Sequence, residues 1–416
     1  MKVDREPIAS RPSEPRQSHP VALEPYFARH RVLTLNHISP RGLARLPPER
    51  YDVGPKVTEP VAILVRSADM HGLEITPSVV AIARAGAGVN NIPVAELSKR
   101  GIPVFNAPGA NANAVKELVL AGLLLAARNI APALAFVRSL AGDDAAIDDA
   151  VERGKKQYVG FELPGRTLGV LGLGAVGVEV ANAALALGMT VLGYDPQITV
   201  RHAWKLSSNV EQALSLEHLF SRSDVISIHI PLNGETRGLV NESRLKLMRG
   251  GGVVLNFARA PIVDTNAVIA ALNAGQLHSY VCDFPSNVFK EHPKVVALPH
   301  LGASTNEAED NCAIMVADAL RDFLENGNVR HSVNYPEAIL PRIPNTTRMA
   351  IANRNVPNMV GQISTLLAAA GLNIADLLNK SRGEYAYTLV DVEGSVGEEL
   401  IAALGSIGGV LLARVV

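Results

Sequence analysis

Cysteine is scarce in this sequence, and its scarcity excludes a disulfide-stabilised fold. Only two cysteines, Cys282 and Cys312, occur among the 416 residues. They match no metal-binding spacing, so no metal site is predicted. Free thiols are typical of a reducing compartment, which predicts a cytoplasmic protein.

An excess of charge and long apolar runs are also missing. The 39 basic and 40 acidic residues leave a net charge of −1, which predicts no broad basic surface for nucleic acid. No apolar run approaches the ~20 residues of a membrane span, so no membrane partner is predicted. Residues 1–29 lack the apolar core of a signal peptide and contain Asp4, Glu6 and Glu14, which argue against a transit peptide. A disordered tail is predicted there.

The most informative segment is residues 168–196, LGVLGLGAVGVEVANAALALGMTVLGYDP. Two apolar runs flank a helical pattern, which predicts a βαβ unit of ~30 residues. Gly172, Gly174 and Gly177 have G-x-G-x-x-G spacing, which allows a tight turn, close approach of a pyrophosphate, and close helix–strand packing. Asp195 lies at the end of the second predicted strand. Its carboxylate can accept hydrogen bonds from the two hydroxyls of a ribose, and its negative charge repels a 2′-phosphate. The sequence therefore predicts NAD as the cofactor.

Further apolar runs predict an α/β fold with parallel sheets, because strands covered on both faces are continuously apolar. They occur at residues 31–35, 61–65, 80–83 and 104–106, and again at residues 225–230, 251–257, 279–284 and 294–300. Residues 115–140 between the two groups predict a long apolar helix, with Pro132 as the candidate break.

Residues 347–416 follow a proline-rich linker and predict a compact unit. Their order of strand, helix, hairpin, helix and strand is the βαββαβ layout. The predicted fold class is two Rossmann-like, doubly wound parallel-sheet domains plus a small α+β domain.

Polar residues at strand ends are the candidates for catalysis, because open α/β sheets bind ligands at the carboxyl ends of their strands. The guanidinium of Arg259 can bind a carboxylate and polarise an adjacent ketone. The imidazole of His300 can exchange a proton with an alkoxide, although His229 near another strand end is a competing candidate. Asp283 ends a strand, where it can pair with Arg259 or accept from a carboxamide.

Arg66, Ser67 and Arg84 follow strands in the first predicted domain. Arginines beside a glycine-rich loop suit an anionic substrate. Two arginines supply more positive charge than one carboxylate needs, which favours a phosphorylated acid as the substrate. Ordinary surface arginines are the alternative interpretation.

Six segments together resemble the D-2-hydroxyacid dehydrogenase family, over residues ~30 to 416. They are VRSADM, RAGAGVNNI, NAPGANANAVKELV, LGVLGLGAVG, NFARAPIVD and PHLGAST. The resemblance implies that Arg259 binds substrate, that His300 is the acid/base, and that Asp283 holds the nicotinamide carboxamide. It adds to the cofactor site Ala175, Val176, Pro231, Phe257, Ala258, Gly302 and Val115. It implies a substrate site of Arg66, Ser67, Arg84, Gly86, Ala87, Gly88 and Asn111.

One departure from the family concerns the acid/base. The family has a Glu five residues after the Asp, and that Glu pairs with the His. Here the position holds Val288, with Glu291 and Glu307 as candidates to replace it.

The C-terminal unit resembles an ACT domain, a regulatory module that binds amino acids where two copies pair. The resemblance implies L-serine as a candidate effector. The positions that match effector-binding residues are Asn353, Asn355 and Asn373. Asn358 replaces the usual glycine.

The resemblance implies NAD-dependent oxidation of 3-phospho-D-glycerate to 3-phosphohydroxypyruvate, the first step of serine biosynthesis, by a homodimer or homotetramer. The alternatives are a dehydrogenase of another D-2-hydroxy acid, such as glycerate, lactate or glyoxylate, and a nucleotide-sensing, corepressor-like scaffold. The predicted domains are a substrate domain (30–127 and 306–335), an NAD-binding domain (128–305) and an ACT-like regulatory domain (347–416).

Overall fold

The structure, a computed structural model, describes residues 29–416 and forms two compact units. The first contains the chain up to Ile38, Leu43–Asn106 and Val316–Val416, and the second contains Ser39–Gly42 and Ala107–Met315. The predicted tail, residues 1–29, lies outside the described residues except for Arg29.

The first unit contains a five-stranded parallel sheet. Its strands are β1 (His30–Leu35), β2 (Tyr51–Gly54), β3 (Ala62–Val65), β4 (Ala81–Arg84) and β5 (Val104–Phe105), and helix α2 (Val94–Lys99) precedes β5. Helix α1 (Pro40–Leu43) follows β1 in the chain, and all but its last residue is grouped with the second unit. The order is β2-β1-β3-β4-β5, so the winding reverses between β1 and β3, where ligands bind in such sheets. Four of these strands confirm the sequence prediction. The short β2 lacks a continuous apolar run and was not predicted.

The predicted helix over residues 115–140 is two helices, α3 (Ala112–Ala127) and α4 (Ile130–Ser139), bent by 63°. The predicted break at Pro132 is wrong in position, because the chain turns at Asn129, whose φ is 50°. Pro132 lies in the first turn of α4, where a missing N–H costs no helical hydrogen bond. Among the described residues no single helix is long and apolar enough to span a membrane; only the bent pair meets that length and composition.

Helix α5 (Asp144–Gly154) leads into the second unit's seven-stranded parallel sheet. The strands are β6 (Thr167–Leu171), β7 (Thr190–Tyr194), β8 (Glu211–Gln212), β9 (Val225–Ile228), β10 (Gly252–Asn256), β11 (Leu277–Cys282) and β12 (Val295–Ala297). The helices are α6 (Ala175–Ala186), α7 (Val200–Ala203), α8 (Leu216–Arg222), α9 (Glu242–Leu245), α10 (Thr265–Asn273) and α11 (Asn287–Lys290). The order β12-β11-β10-β9-β6-β7-β8 is doubly wound and confirms the predicted fold class.

Helix α3 packs tightly on this second sheet. A Cβ at Gly122 would come within 2.9 Å of Phe257 and 3.0 Å of Val281. This contact groups α3 with the second unit. The compact units consequently divide after Asn106, earlier than the predicted domain boundary at residue 127.

Helix α12 (Asn306–Asn326) leads towards a four-stranded antiparallel sheet in the first unit. Its strands are β13 (Thr346–Arg354), β14 (Asn373–Arg382), β15 (Tyr385–Glu393) and β16 (Val410–Val415), with helices α13 (Met359–Ala369) and α14 (Glu398–Gly405). The order β14-β15-β13-β16 matches the predicted βαββαβ layout.

Side chains of this last sheet cap the end of α12. Arg348 and Asp391 form an ion pair with both side chains fully buried, through two hydrogen bonds of 2.6 Å. The last carbonyls of a helix lack intrahelical donors. Here the sheet supplies donors: Arg348 to the carbonyl of Asn326, Tyr387 to the carbonyl of Gly327 just after the helix, and Arg414 to the carbonyl of Phe323, which also accepts from the N–H of Gly327. The sheet therefore belongs to the same compact unit as β1–β5.

Candidate active site

The glycine-rich turn between β6 and α6 has the predicted geometry. Gly172 has a φ of 93°, which favours glycine. A Cβ at Gly177 would come within 1.9 Å of the Gly172 carbonyl oxygen, so only glycine permits this packing. Beside Gly174, by contrast, no atom of the described chain lies within 4 Å of where a Cβ would be.

Gly174 precedes α6 and supplies no side chain to cap the first N–H groups of the helix. Ala175 and Val176 form that first turn. Uncapped N–H groups and the helix dipole together favour a phosphate. The open space beside Gly174 therefore suits a pyrophosphate.

Asp195, immediately after β7, braces this turn. Its Oδ2 accepts from the N–H of Leu173 (2.8 Å) and its Oδ1 accepts from the N–H of Gln197 (2.9 Å). Each carboxylate oxygen has further acceptor capacity for a ribose hydroxyl. The bond to Leu173 was not predicted, because it joins residues 22 positions apart.

Arg259 follows β10 with an exposed side chain, and its Nη1 donates to the carbonyl of Ala258 (2.6 Å). The buried Asn256 holds this segment. Its Nδ2 donates to the carbonyl oxygen of Arg259 (3.0 Å), and its Oδ1 accepts from the N–H of Ala258 (3.2 Å). Asn256 is a supporting residue that the sequence analysis missed, although it begins the quoted NFARAPIVD segment.

Asp283 and His300 are adjacent at the ends of β11 and β12. Asp283 is 1% exposed; its Oδ2 accepts from the N–H of Gly302 (3.2 Å), and its buried Oδ1 has no partner in the described chain. Burial raises the pKa of Asp283, and the nearby His300 partly opposes this rise. A buried acceptor without a donor indicates a place for a ligand N–H.

His300 has an exposed side chain and a left-handed backbone with a φ of 51°. Its N–H donates to the carbonyl oxygens of Asp283 (3.0 Å) and Leu298 (3.1 Å), and its ring lies edge-on to Phe284 at 5.2 Å between centroids. Such a conformation is rare outside glycine and clusters at functional sites.

The competing candidate, His229, is in a different environment. Burial lowers the pKa of His229 to about 3, and its Nε2 lies 2.8 Å from Ser227 Oγ. A histidine that stays neutral at physiological pH is a poor proton donor. The geometry therefore favours His300.

The predicted substitutes for the missing glutamate do not pair with His300. Val288 lies on α11 and is 54% exposed. Within residues 29–416, Glu291 forms an ion pair with Lys290 (4.0 Å), and no ion pair joins Glu291 or Glu307 to His300. Asp283 is the carboxylate whose charge interacts with His300.

The predicted substrate loops lie in the first unit, at the ends of β3 and β4. Arg66 and Ser67 follow β3, and Arg84 ends β4 with its Nε donating to Asn91 Oδ1 (3.1 Å). In the part of the chain that the structure describes, the N–H groups of Ala87 and Gly88 donate to no acceptor. Two unpaired N–H groups beside an arginine can bind an anion.

The remaining predicted residues lie in the second unit. Val115 is buried on α3, and its side chain lies 3.5 Å from where a Cβ on Gly302 would be. Asn111 is the N-cap position of α3. Pro231 and Phe257 follow β9 and β10. The structure thus groups Arg259, Asp283, His300 and the glycine-rich turn in one unit, and Arg66, Arg84 and their loops in the other.

Within a single chain, the predicted effector residues do not form one site. Asn355 donates to the carbonyl of Gly383 (3.1 Å), beside the start of β15, whereas Asn373 donates to Glu393 (3.0 Å) at its end. The nine residues of β15 separate them by about 27 Å. Asn353 is buried, and its Oδ1 has no partner among described residues.

Asn358, in place of the family's glycine, has a φ of 63°. Asparagine tolerates the left-handed region better than most residues. The turn before α13 therefore accommodates asparagine at this position.

Comparison with known proteins identifies the family. Residues 122–302 match the D-isomer specific 2-hydroxyacid dehydrogenase, NAD binding domain. The chain is 33% identical over 354 residues to D-3-phosphoglycerate dehydrogenase of Haemophilus influenzae, covering 82% of each protein. The protein of that name in Escherichia coli K12 is 32% identical over 349 residues, covering 81% of each. The chain belongs to the D-isomer specific 2-hydroxyacid dehydrogenase family.

Solved structures of dehydrogenases agree with this family assignment. An NAD⁺-bound 3-phosphoglycerate dehydrogenase of Entamoeba histolytica is 28% identical, with a TM-score of 0.57, and covers 74% of this chain and 99% of that one. A D-2-hydroxyisocaproate dehydrogenase, 22% identical, has a TM-score of 0.60 over 73% of this chain and 99% of that one, which shows the shared fold alone.

The residues of this dehydrogenase fit NAD. The turn is open beside Gly174, Asp195 stands at the end of β7, and the buried Oδ1 of Asp283 lacks a donor that a carboxamide NH₂ would supply. NAD as the cofactor is confirmed by the matched NAD binding domain.

Proposed function

We propose that this dehydrogenase oxidises 3-phospho-D-glycerate to 3-phosphohydroxypyruvate with NAD, the first step of serine biosynthesis. The observation that carries the proposal is the pair Arg66 and Arg84 at the carboxyl ends of the neighbouring strands β3 and β4, in a chain whose relatives are named D-3-phosphoglycerate dehydrogenase. Two arginines supply more positive charge than the carboxylate of an unphosphorylated acid needs.

The chain's own residues have the following roles in this proposal. Arg259 binds the substrate carboxylate and polarises the reacting C–O bond. His300 accepts the hydroxyl proton during oxidation and returns it during reduction. Asp283 accepts from the carboxamide and orients the nicotinamide, and NAD, when bound, accepts the hydride. Arg66, Arg84 and the N–H groups of Ala87 and Gly88 hold the anionic groups, while the N–H of Gly86 donates to the carbonyl oxygen of Arg84 (2.8 Å).

A substrate panel tests the proposal. NADH oxidation should be measured with 3-phosphohydroxypyruvate, hydroxypyruvate, pyruvate and glyoxylate. We expect the highest kcat/KM with the phosphorylated acid, and Arg84→Ala should remove most of that preference. A higher kcat/KM for pyruvate or glyoxylate would replace the proposed substrate with another D-2-hydroxy acid.

The proposal includes regulation by L-serine at the C-terminal, ACT-like domain. Asn355 and Asn373 lie at opposite ends of β15, so a ligand that contacts both needs a second chain to supply one of them. Titration with serine, followed by rate and thermal midpoint, tests this idea. No change in either at millimolar serine would make the domain an assembly element only.

The proposal also includes a homodimer or homotetramer. Helix α4 has no buried residue, and Ile130, Leu134 and Val137 on it are 43–51% exposed, which a partner chain would cover. Sedimentation at several concentrations tests the assembly. Cys282 and Cys312 are buried and form no disulfide within the described residues, which supports a cytoplasmic location that fractionation of the source cells would check.

A further inference from the structure

The side chain of Asn91 lies between the two loops that carry the substrate arginines. Its Oδ1 accepts from Arg84 Nε (3.1 Å). Its Nδ2 donates to the carbonyl oxygens of Ala68 (2.7 Å) and Arg66 (3.4 Å), and its main-chain carbonyl accepts from the N–H of Met70 (2.8 Å). One residue thus ties the loop after β4 to the loop after β3.

Two other asparagines extend this bracing along the strand ends. Asn36, after β1, accepts from the N–H of Ala68, and Asn106, after β5, donates to the carbonyl of Ala87 (2.5 Å). Asn91 also bonds an arginine side chain, that of Arg84. The loop backbones are therefore held from both sides, and Asn91 extends the bracing to Arg84.

The chemistry of the bond explains why an amide is needed. An amide offers an acceptor and two donors, whereas a carboxylate only accepts. At this position the acceptor meets Arg84 and the donors meet two carbonyls. Because the bond uses Nε, it sets the rotation of the guanidinium without using Nη1 or Nη2, the fork that binds a carboxylate or phosphate.

The placement of Arg84 also depends on Gly86. A Cβ at Gly86 would lie 2.3 Å from Arg84 Nη1, so the guanidinium lies directly against the glycine-rich loop. The guanidinium is consequently a direct neighbour of the loop that contains the N–H groups of Ala87 and Gly88. A change of one side-chain rotamer would move the guanidinium of Arg84 away from the loop.

We propose that Asn91 is a positioning residue, which holds the guanidinium of Arg84 against the loop after β3 in the orientation that binds the substrate anion. The identity of that anion rests on the proposed function. The coupling between Asn91 and Arg84 rests only on the hydrogen bonds.

A kinetic double-mutant cycle tests the coupling. Asn91→Ala, Arg84→Ala and the double variant are compared with the wild type by their kcat/KM values when 3-phosphohydroxypyruvate is the substrate. We expect Asn91→Ala alone to lower kcat/KM about tenfold, mainly through KM, as for loss of a hydrogen bond to a charged group. In the Arg84→Ala background the same change should cost twofold or less, because contacting residues are not additive.

Asn91→Asp provides a second, nearly isosteric variant. It keeps the acceptor for Arg84 but loses both donors to the carbonyls, so the arginine loses its anchor and KM should rise here as well. The exposed neighbour Asn90 is the matched control, and Asn90→Ala should leave KM unchanged. The KM for NADH should stay close to wild type in both Asn91 variants.

The outcomes separate this inference from the proposed function. Additive losses in the cycle would overturn the positioning role. Equal rises in KM for hydroxypyruvate and its phosphorylated form would contradict the phosphate as the anion that Arg84 binds, since the carboxylate is the only anionic group that the two compounds share. If the wild type prefers an unphosphorylated acid, the proposed substrate is wrong. The cycle run with the preferred acid still decides whether Asn91 acts through Arg84.

Discussion

The main-chain N–H of His300 donates to the carbonyl oxygen of Asp283 over 3.0 Å, which helps to hold His300 at a φ of 51°. Asparagine tolerates this backbone, so His300→Asn should remove the imidazole and keep the loop. We expect kcat to fall by roughly 10²–10⁴ with little change in thermal midpoint. His202→Asn, on the short helix α7, is the control. Near-normal turnover of His300→Asn would remove His300 from the mechanism.

Asp283 should make stability depend on pH. Burial raises its pKa, so the folded state binds the proton more tightly than the unfolded state. Stability should therefore fall as pH rises from the ordinary carboxyl pKa through the raised one. Asp283→Asn should abolish this fall and stabilise the apo protein by about 1 kcal/mol at neutral pH, since a buried charge with one oxygen lacking a donor is removed. Denaturant unfolding of the wild type and of Asp283→Asn at several pH values measures both the fall in stability with pH and the gain at neutral pH.

The same variant should bind NAD less well, because the amide replaces one carboxylate acceptor with an NH₂ group. Isothermal titration with NAD would show a higher Kd. An unchanged Kd would argue that Asp283 does not receive the carboxamide.

Substitutions of two glycines in the glycine-rich turn should have different effects. Gly177→Ala places a methyl group 1.9 Å from the Gly172 carbonyl oxygen, which should lower the thermal midpoint strongly. Gly174→Ala meets no atom within 4 Å among described residues, so the fold should survive while NAD binding weakens. Calorimetry of the two variants measures their loss of stability, and titration with NAD measures their loss of binding. Equal losses of stability would contradict the separate roles.

Asp195→Asn should change the choice of cofactor. Asparagine keeps an acceptor for the N–H of Leu173 and removes the negative charge that opposes a 2′-phosphate. We expect the NAD/NADP ratio of kcat/KM to fall at least about tenfold. Asp195→Ala should lower the ratio too and also loosen the turn. A ratio that stays constant would exclude Asp195 as the ribose ligand.

The buried pair Arg348–Asp391 should tolerate joint removal better than single removal. Arg348→Ala leaves Asp391 charged and fully buried, which should cost about 3–5 kcal/mol. Replacing both by apolar residues, Arg348→Met with Asp391→Leu, should cost much less. Truncation before β13 would expose the end of α12, so the shortened protein should be less stable. Denaturant midpoints of the four proteins are the measurement.

The sequence by itself determined the dinucleotide unit, the two parallel sheets and the βαββαβ end. These features depend on local spacing, because Gly172, Gly174 and Gly177 lie within one turn and strand patterns repeat every few residues. The strand-end positions of Arg259, Asp283 and His300 were also predictable, since topology places such residues at one sheet edge.

The tertiary structure added a physical reason to prefer His300, which in the sequence only the family resemblance favoured over His229, because burial lowers the pKa of His229 whereas the side chain of His300 is exposed. It alone revealed Asn91 beside Arg84 and the ion pair between Arg348 and Asp391, which joins residues 43 positions apart. Side-chain hydrogen bonds between separate loops or strands leave no periodic signal in a sequence. They exist only once packing has brought the two segments within about 3 Å of each other.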